Sequence, residues 1–135
     1  MREYLLASHS NMARGVKDSL ELIMGKQENV YTLCAYVQSD YDLESEIINF
    51  LKAHASSELI VITDLLGGSV NNEFLKLQPT FDYYLVTGLN LTLVLELVNS
   101  SNLSAKEAID KAVLSARKAL LNCAELTVSK SEDEF

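Results

Sequence analysis

Leu59-Ile60-Val61-Ile62-Thr63-Asp64, followed at once by Leu65-Leu66-Gly67-Gly68-Ser69, is the stretch on which the fold of this 135-residue chain turns. Its apolar run is continuous rather than alternating, the pattern of a parallel strand covered on both faces. An aspartate and a glycine-rich turn end it. Working outward, Tyr4-Leu5-Leu6-Ala7 predicts a first strand stopping at the polar Ser8-His9-Ser10-Asn11. Val30 to Val37 predicts a second strand, and Tyr83 to Thr87 a fourth, closed by Gly88. Between the strands, apolar residues recur at helical spacing. Met12, Val16, Leu20 and Ile23 form one such face, with Ser10 or Asn11 as N-cap and Gly25 as the stop. Leu43, Ile47, Ile48 and Leu51 form the next behind an Asp42 cap, and Ser69 caps a short helix reaching about Leu77. Leu91 to Val98 predicts another helix. Ser104-Ala105-Lys106-Glu107 has the form of a capping box, opening a long helix with Ala108, Ile109, Ala112, Val113, Ala116 and Leu120 on one face. Leu126-Thr127-Val128 predicts a last short strand. Strands alternating with helices give an α/β class: a doubly wound, mainly parallel central sheet flanked by helices.

One domain is expected over residues 1–130, followed by an acidic tail over 131–135, since no linker or repeat divides the chain. With 48% hydrophobic residues the chain buries a core of ordinary size. A formal net charge of −8 argues against nucleic acid and against anionic lipid as partners. No apolar run approaches the ~20 residues that span a bilayer. The N-terminus turns polar too early for a secretory signal. A cytoplasmic location is the expectation. Cys34 and Cys123 are too few for a disulfide framework, and both are expected to be buried free thiols. Together with His9 and His54 they show no metal-ligand spacing, so neither a metal nor a cofactor is expected.

Ligands of doubly wound sheets sit beyond the carboxyl ends of the strands, where strand order reverses. With the first and third strands adjacent there, His9, Asp64 and Gly67-Gly68-Ser69 converge on one spot. An imidazole is nucleophilic near neutral pH and can carry a phosphoryl group as a phosphoramidate. A carboxylate on its second nitrogen would fix the tautomer and support the developing positive charge. Asp64 is placed for that role, though an aspartate there also serves as an ordinary turn cap. Gly67-Gly68-Ser69 before a helix forms a phosphate-sized anion site, or simply a turn and its cap. It matches neither a Walker loop nor a dinucleotide fingerprint, and no Gly-x-Ser-x-Gly elbow supports a hydrolase. His54, near a helix end, reads as a surface or C-terminal cap residue. Arg14 and Lys17 read as solvated helix positions.

Strand–Ser-His–helix, then strand–Thr-Asp-Leu-Leu-Gly-Gly-Ser, then Val-Thr-Gly-Leu-Asn-Leu-Thr-Leu, resembles the enzyme IIA domain of the mannose/fructose/sorbose family of the bacterial sugar phosphotransferase system. The resemblance runs through nearly the whole chain. It implies that His9 takes a phosphoryl group on Nε2 from the histidine-containing phosphocarrier protein and passes it to a histidine of enzyme IIB, serving the membrane permease components indirectly. It further implies that Asp64 orients the ring through Nδ1, and that Ser69 and the Gly67-Gly68 backbone contact the phosphoryl oxygens. A homodimer exchanging its final strand is also implied, with Leu126 to Val128 in that role. The chain departs from the family pattern at Ser10, where glycine is usual, at Val70-Asn71-Asn72 in place of Pro-x-Asn, and at Leu91-Thr92-Leu93 in place of a Pro-Met pair.

Ser-His-Ser also resembles the phosphocarrier subunit of dihydroxyacetone kinase, but the double glycine of Asp64 to Ser69 favours the sugar-transport family. A non-catalytic regulatory domain of the same fold is the remaining alternative. The apolar Met12, Leu65 and Leu66 are candidates for contact with docking partners.

Overall fold

A computed structural model describes residues 1–126 of the protein. In chain order its elements are β1 (Arg2–His9), α1 (Met12–Met24), β2 (Val30–Ala35), α2 (Leu43–Ala53), β3 (Glu58–Thr63), α3 (Ser69–Leu77), β4 (Tyr84–Thr87), α4 (Leu91–Asn99) and α5 (Ala105–Ala119), with a 3-10 turn at Cys123–Glu125. The strands form a four-stranded sheet in the order β2-β1-β3-β4, and every pairing is parallel. β1 and β3 are therefore central neighbours, in register from Arg2 opposite Glu58 to Ala7 opposite Thr63.

Strand residues alternate between two cores because successive side chains leave a strand on opposite faces. Tyr4, Leu6, Ile60, Ile62 and Val86 pack against α1, α4 and α5. Leu5, Ala7, Val61, Leu33 and Ala35 pack against α2 and α3. Leu5, Leu6, Ile60, Val61 and Ile62 are fully buried, as a two-sided parallel strand requires. The sheet is thus doubly wound. Among the described residues no helix is long and apolar enough to cross a membrane.

Local chemistry follows the sequence in several places. Asp42 caps α2 by accepting from Ser45 N–H, and Ser104 and Glu107 close a capping box at α5. Asn90 caps α4 through Leu93 N–H. Elsewhere it differs. Asn11 stands at the N-cap of α1, as expected, but its side chain makes no capping bond. The buried Ser8 supplies one from within β1, its Oγ accepting from Ala13 N–H at 2.8 Å. The inner face of α1 is carried by Ala13 and Leu20, with Val16 and Met24 packed alongside, while Met12 and Ile23 are exposed. Ala13 is fully buried with its N–H bonded to Ser8 of β1, and a reading based on bulky residues passes over it. Leu120 also points outward, because α5 has ended at Ala119. Cys34 is half-buried and Cys123 exposed, so neither is the fully buried thiol expected. β2 stops at Ala35 because Tyr36 adopts φ 66°, a left-handed conformation that no strand continues. Thr127 and Val128 of the expected last strand, its exchange between subunits, and the domain boundary at 130/131 lie outside the described residues.

Candidate functional site

The carboxyl ends of β1 and β3 bring together residues far apart in sequence. His9 is the last residue of β1, and Asp64 follows β3 directly. The backbone ladder between the two strands ends at Ala7–Thr63, two residues before His9 and one before Asp64. The Asp64 side chain continues it: Oδ2 accepts from the His9 backbone N–H at 2.8 Å and pairs with Nδ1 of the same ring at 2.9 Å. Two bonds from one residue to one oxygen fix both the strand end and the ring. Oδ1 is buried with no hydrogen-bond partner among the described residues, so the carboxylate's pairing is concentrated on His9. Burial pushes the Asp64 carboxyl up, but the His9 backbone and ring bonds outweigh it and hold the group below its ordinary value. An ionised carboxylate only accepts, so Nδ1 carries the ring proton and Nε2 presents its lone pair.

Nε2 faces Ser69, whose Oγ lies 3.2 Å away. Ser69 does not act as the cap of α3. That position falls to Gly68, which leaves the Ser69 hydroxyl free for the ring. The two glycines serve different ends. Gly67 sits at φ 78°, where an L side chain is strained. Gly68 has an ordinary φ of −71°, but a Cβ there would meet His9 Cε1 at 3.2 Å and Leu65 O at 3.3 Å, so both the imidazole and the turn backbone crowd the position. Gly68 N–H is bonded to Leu65 O, which tightens the turn. The first N–H groups of α3, beginning at Ser69, have no partners within the helix, and they stand at its positive end. Asp64 also borders a cavity of about 590 Å³, lined otherwise by residues such as Thr87, Asn90, Leu93, Val113 and Arg117.

Three contributors carried no signal that sequence reasoning used. Asn71 is buried; its Oδ1 accepts from Gly67 N–H and its Nδ2 donates to Thr63 Oγ1. Asn72 Nδ2 donates to the Gly67 carbonyl, so Gly67 is held through both its N–H and its C=O. Thr63 Oγ1 in turn donates to Thr87 Oγ1, tying the network to β4. Tyr36 closes the third side: its hydroxyl is 2.9 Å from Ser69 Oγ and its ring centroid 5.7 Å from that of His9. Adjacent asparagines and a tyrosine after a strand are compositionally ordinary, and only the strand order brings them to this end of the sheet. Met12, Leu65 and Leu66 are exposed. Arg14 is exposed and Lys17 partly so.

The family model described as PTS system fructose IIA component (EIIA-man) matches residues 3–113. The chain belongs to that family. It is a IIA component of the mannose/fructose/sorbose type in the sugar phosphotransferase system (PTS), as its sequence resemblance implied. A sorbose-specific EIIA component from Lacticaseibacillus casei is 24% identical over 139 residues, which cover 98% of this chain and 99% of the relative. Among solved structures, a protein from Klebsiella pneumoniae subsp. pneumoniae, provisionally assigned as a phosphoenolpyruvate-dependent PTS permease, is 39% identical. It superposes with a TM-score of 0.88 over 92% of each chain. A PTS IIA protein associated with the fucose utilization operon of Streptococcus pneumoniae is 31% identical, with a TM-score of 0.76 over 92% of this chain and 94% of that one.

Proposed function

We propose that this IIA component relays a phosphoryl group on His9 Nε2, accepting it from the histidine-containing phosphocarrier protein and delivering it to enzyme IIB. The observation that carries this reading is the ring itself: Nδ1 is committed to Asp64 at 2.9 Å while Nε2 is turned to the Ser69 hydroxyl at the head of α3. In the accepting step the Nε2 lone pair attacks phosphorus, the Nε2–P bond forms, and the N–P bond of the donor phosphohistidine breaks, its electron pair returning to the donor ring. The Nδ1 proton stays in its bond to Asp64, whose charge stabilises the cationic ring. Delivery to enzyme IIB reverses the roles. The protein's contribution is alignment of two imidazoles in line with the phosphorus, with Ser69 O–H and the free N–H groups of α3 directed at the equatorial oxygens.

Transfer between proteins requires the nucleophile to stand at the surface, and the half-exposed His9 ring beside exposed Met12, Leu65 and Leu66 suits that requirement. In this reading the protein works in the cytoplasm, as one folded unit and as a homodimer. The test is incubation of the purified chain with phosphoenolpyruvate, enzyme I and the carrier, followed by intact mass. The wild type gains one acid-labile phosphoryl group and His9→Ala gains none. Uptake by His9→Ala on the same terms as the wild type contradicts the reading.

A further inference from the structure

Two non-glycine residues among those described adopt positive φ: Ser10, at 56°, and Tyr36, at 66°. Ser10 directly follows His9, and Tyr36 faces it from the end of β2. A bulky aromatic residue is a genuine outlier in this conformation, and such strain persists only where the surroundings hold it. Burial does not compensate here, since Tyr36 is 47% exposed. What its backbone conformation achieves is the direction of the side chain. The ring stands tilted beside the His9 imidazole, centroids 5.7 Å apart, and meets Tyr41 edge-on at 5.6 Å. The hydroxyl reaches across to α3 and meets Ser69 Oγ at 2.9 Å.

We propose that Tyr36 is a positioning residue of the phosphoryl site, its O–H donating to Ser69 Oγ so that the Ser69 hydroxyl hydrogen is directed at His9 Nε2 and, during transfer, at the phosphoryl oxygen bound there. The proposal rests on the phosphoryl relay at His9 and deepens it. A serine hydroxyl has one hydrogen to donate and rotates freely unless its acceptor side is engaged. Nε2 is an acceptor once Nδ1 holds the ring proton, so the donor in that contact is Ser69. The hydrogen between Tyr36 and Ser69 must then come from the phenol. This gives one continuous direction of donation, Tyr36 to Ser69 to Nε2, with Nδ1–H to Asp64 beyond it. When a phosphoryl group occupies Nε2, Ser69 keeps its acceptor bond from Tyr36 and turns its hydrogen to the nearest oxygen. Without the phenol hydroxyl the serine rotor has no fixed direction, and its alignment must be re-established at each transfer.

The experiment is single-turnover transfer from the phosphorylated carrier, quenched and read by intact mass across carrier concentrations, for wild type, Tyr36→Phe, Ser69→Ala and the double variant. Phenylalanine keeps the ring beside His9 and Tyr41, and thermal melting confirms that each variant is folded. Tyr36→Phe should lower the limiting rate about 5- to 10-fold, the loss expected for one hydrogen bond, with the half-saturating carrier concentration unchanged. In the Ser69→Ala background the same substitution should change the rate less than about 2-fold, because its object is gone. In the unphosphorylated protein, Tyr36→Phe should also move the His9 Nε2 nitrogen resonance in the same direction as Ser69→Ala does. A Tyr36→Phe rate equal to wild type overturns the proposal, as does an equal loss in both backgrounds. Wild type that takes no phosphoryl group from an active carrier overturns the relay and this proposal together. Normal uptake at His9 with an unaffected Tyr36→Phe leaves the relay standing and removes only Tyr36.

Discussion

The protein holds two histidine–carboxylate pairs of nearly identical geometry at opposite ends of one sheet. At the carboxyl end, His9 Nδ1 meets Asp64 at 2.9 Å; at the amino end, His54 Nδ1 meets Glu3 at 2.8 Å. Each pair joins an imidazole at the edge of an element to a carboxylate from a neighbouring strand or strand end. The difference lies in what surrounds the second nitrogen. The His9 side chain is 42% exposed, against 19% for His54. His54 is stacked on Phe50 and meets Tyr31 edge-on, with ring centroids 4.0 and 4.7 Å away, and Tyr31 O–H also donates to Glu3. His9 instead turns Nε2 to Ser69 at a helix start, beside a glycine crowded by the ring and the turn backbone. A fixed tautomer is therefore common to both pairs, and only one of them leaves the second nitrogen exposed and facing a helix start. His54 is the C-cap of α2, as its position in sequence suggests, its N–H bonded to Phe50 O, and its largely buried ring also ties that helix end to Glu3 of β1.

The largest contrast comes from removing each ring. His9→Ala abolishes phosphoryl uptake. His54→Ala leaves uptake unchanged and lowers stability by about 1–3 kcal/mol through the lost packing and the stranded Glu3, which is measured by denaturant unfolding beside the intact-mass assay. Comparable loss of uptake in both variants erases the distinction.

Removing each carboxylate gives the next effect. In Asp64→Asn the side chain carries no charge and can donate to Nδ1, forcing the ring proton onto Nε2 and blocking the nucleophile. Single-turnover transfer should slow by about 100-fold or more. Glu3→Gln should leave the transfer rate within about 2-fold. The same two groups set an acid limb of stability. Burial pushes both carboxyls up, while their histidine partners and, for Asp64, the His9 backbone N–H bring them below their ordinary values. The unfolded chain then binds protons first as the pH falls, so each pair's stabilisation is present at neutral pH and lost as the pH drops through and below the usual carboxylate range. Glu3→Gln should flatten that limb in melts recorded between about pH 5 and 2, while activity at neutral pH is preserved.

Much of this was legible in the sequence, and the boundary of legibility is physical. The continuous apolar run of Leu59–Thr63 gave the two-sided parallel strand, and its neighbour relation to the first strand followed from the class of sheet. Glu107 behind Ser104 and the Asp42 cap are local signals that tertiary packing had no reason to override. The contributions of Ser8, Tyr36 and Asn71 were not legible. Ser8 sits in a strand by its burial and caps a helix by its hydroxyl, two roles that local patterns treat as exclusive. Tyr36 and Asn71 acquire their roles only across 33 and 8 residues of chain, to Ser69 and Thr63. Ser69 read as a helix cap because serine before a helix usually is one; here a glycine holds that position and leaves the hydroxyl to face the His9 ring.

The glycine pair sharpens the account further. Gly68→Ala should slow transfer several-fold by pressing on the His9 ring, with the ring's displacement visible as a change in the His9 resonances; an unchanged rate would show that the ring has room to give. Gly67→Ala should act on stability instead, costing about 1–2 kcal/mol at its positive φ. The smallest effect is expected at Ser10, where the family more often has glycine. At φ 56° a glycine removes the strain of a left-handed serine, and Ser10→Gly should stabilise by about 0.5–1 kcal/mol in chemical unfolding without slowing transfer.

The most direct test of the central claim is the position of the phosphoryl group on the ring. Protein labelled with ¹⁵N-histidine, phosphorylated through the carrier and examined by ³¹P and ¹⁵N NMR, should show a single phosphohistidine with the group on Nε2 of His9, Nδ1 protonated, and the His54 resonances unmoved. A phosphoryl group on Nδ1, or on His54, would contradict the account.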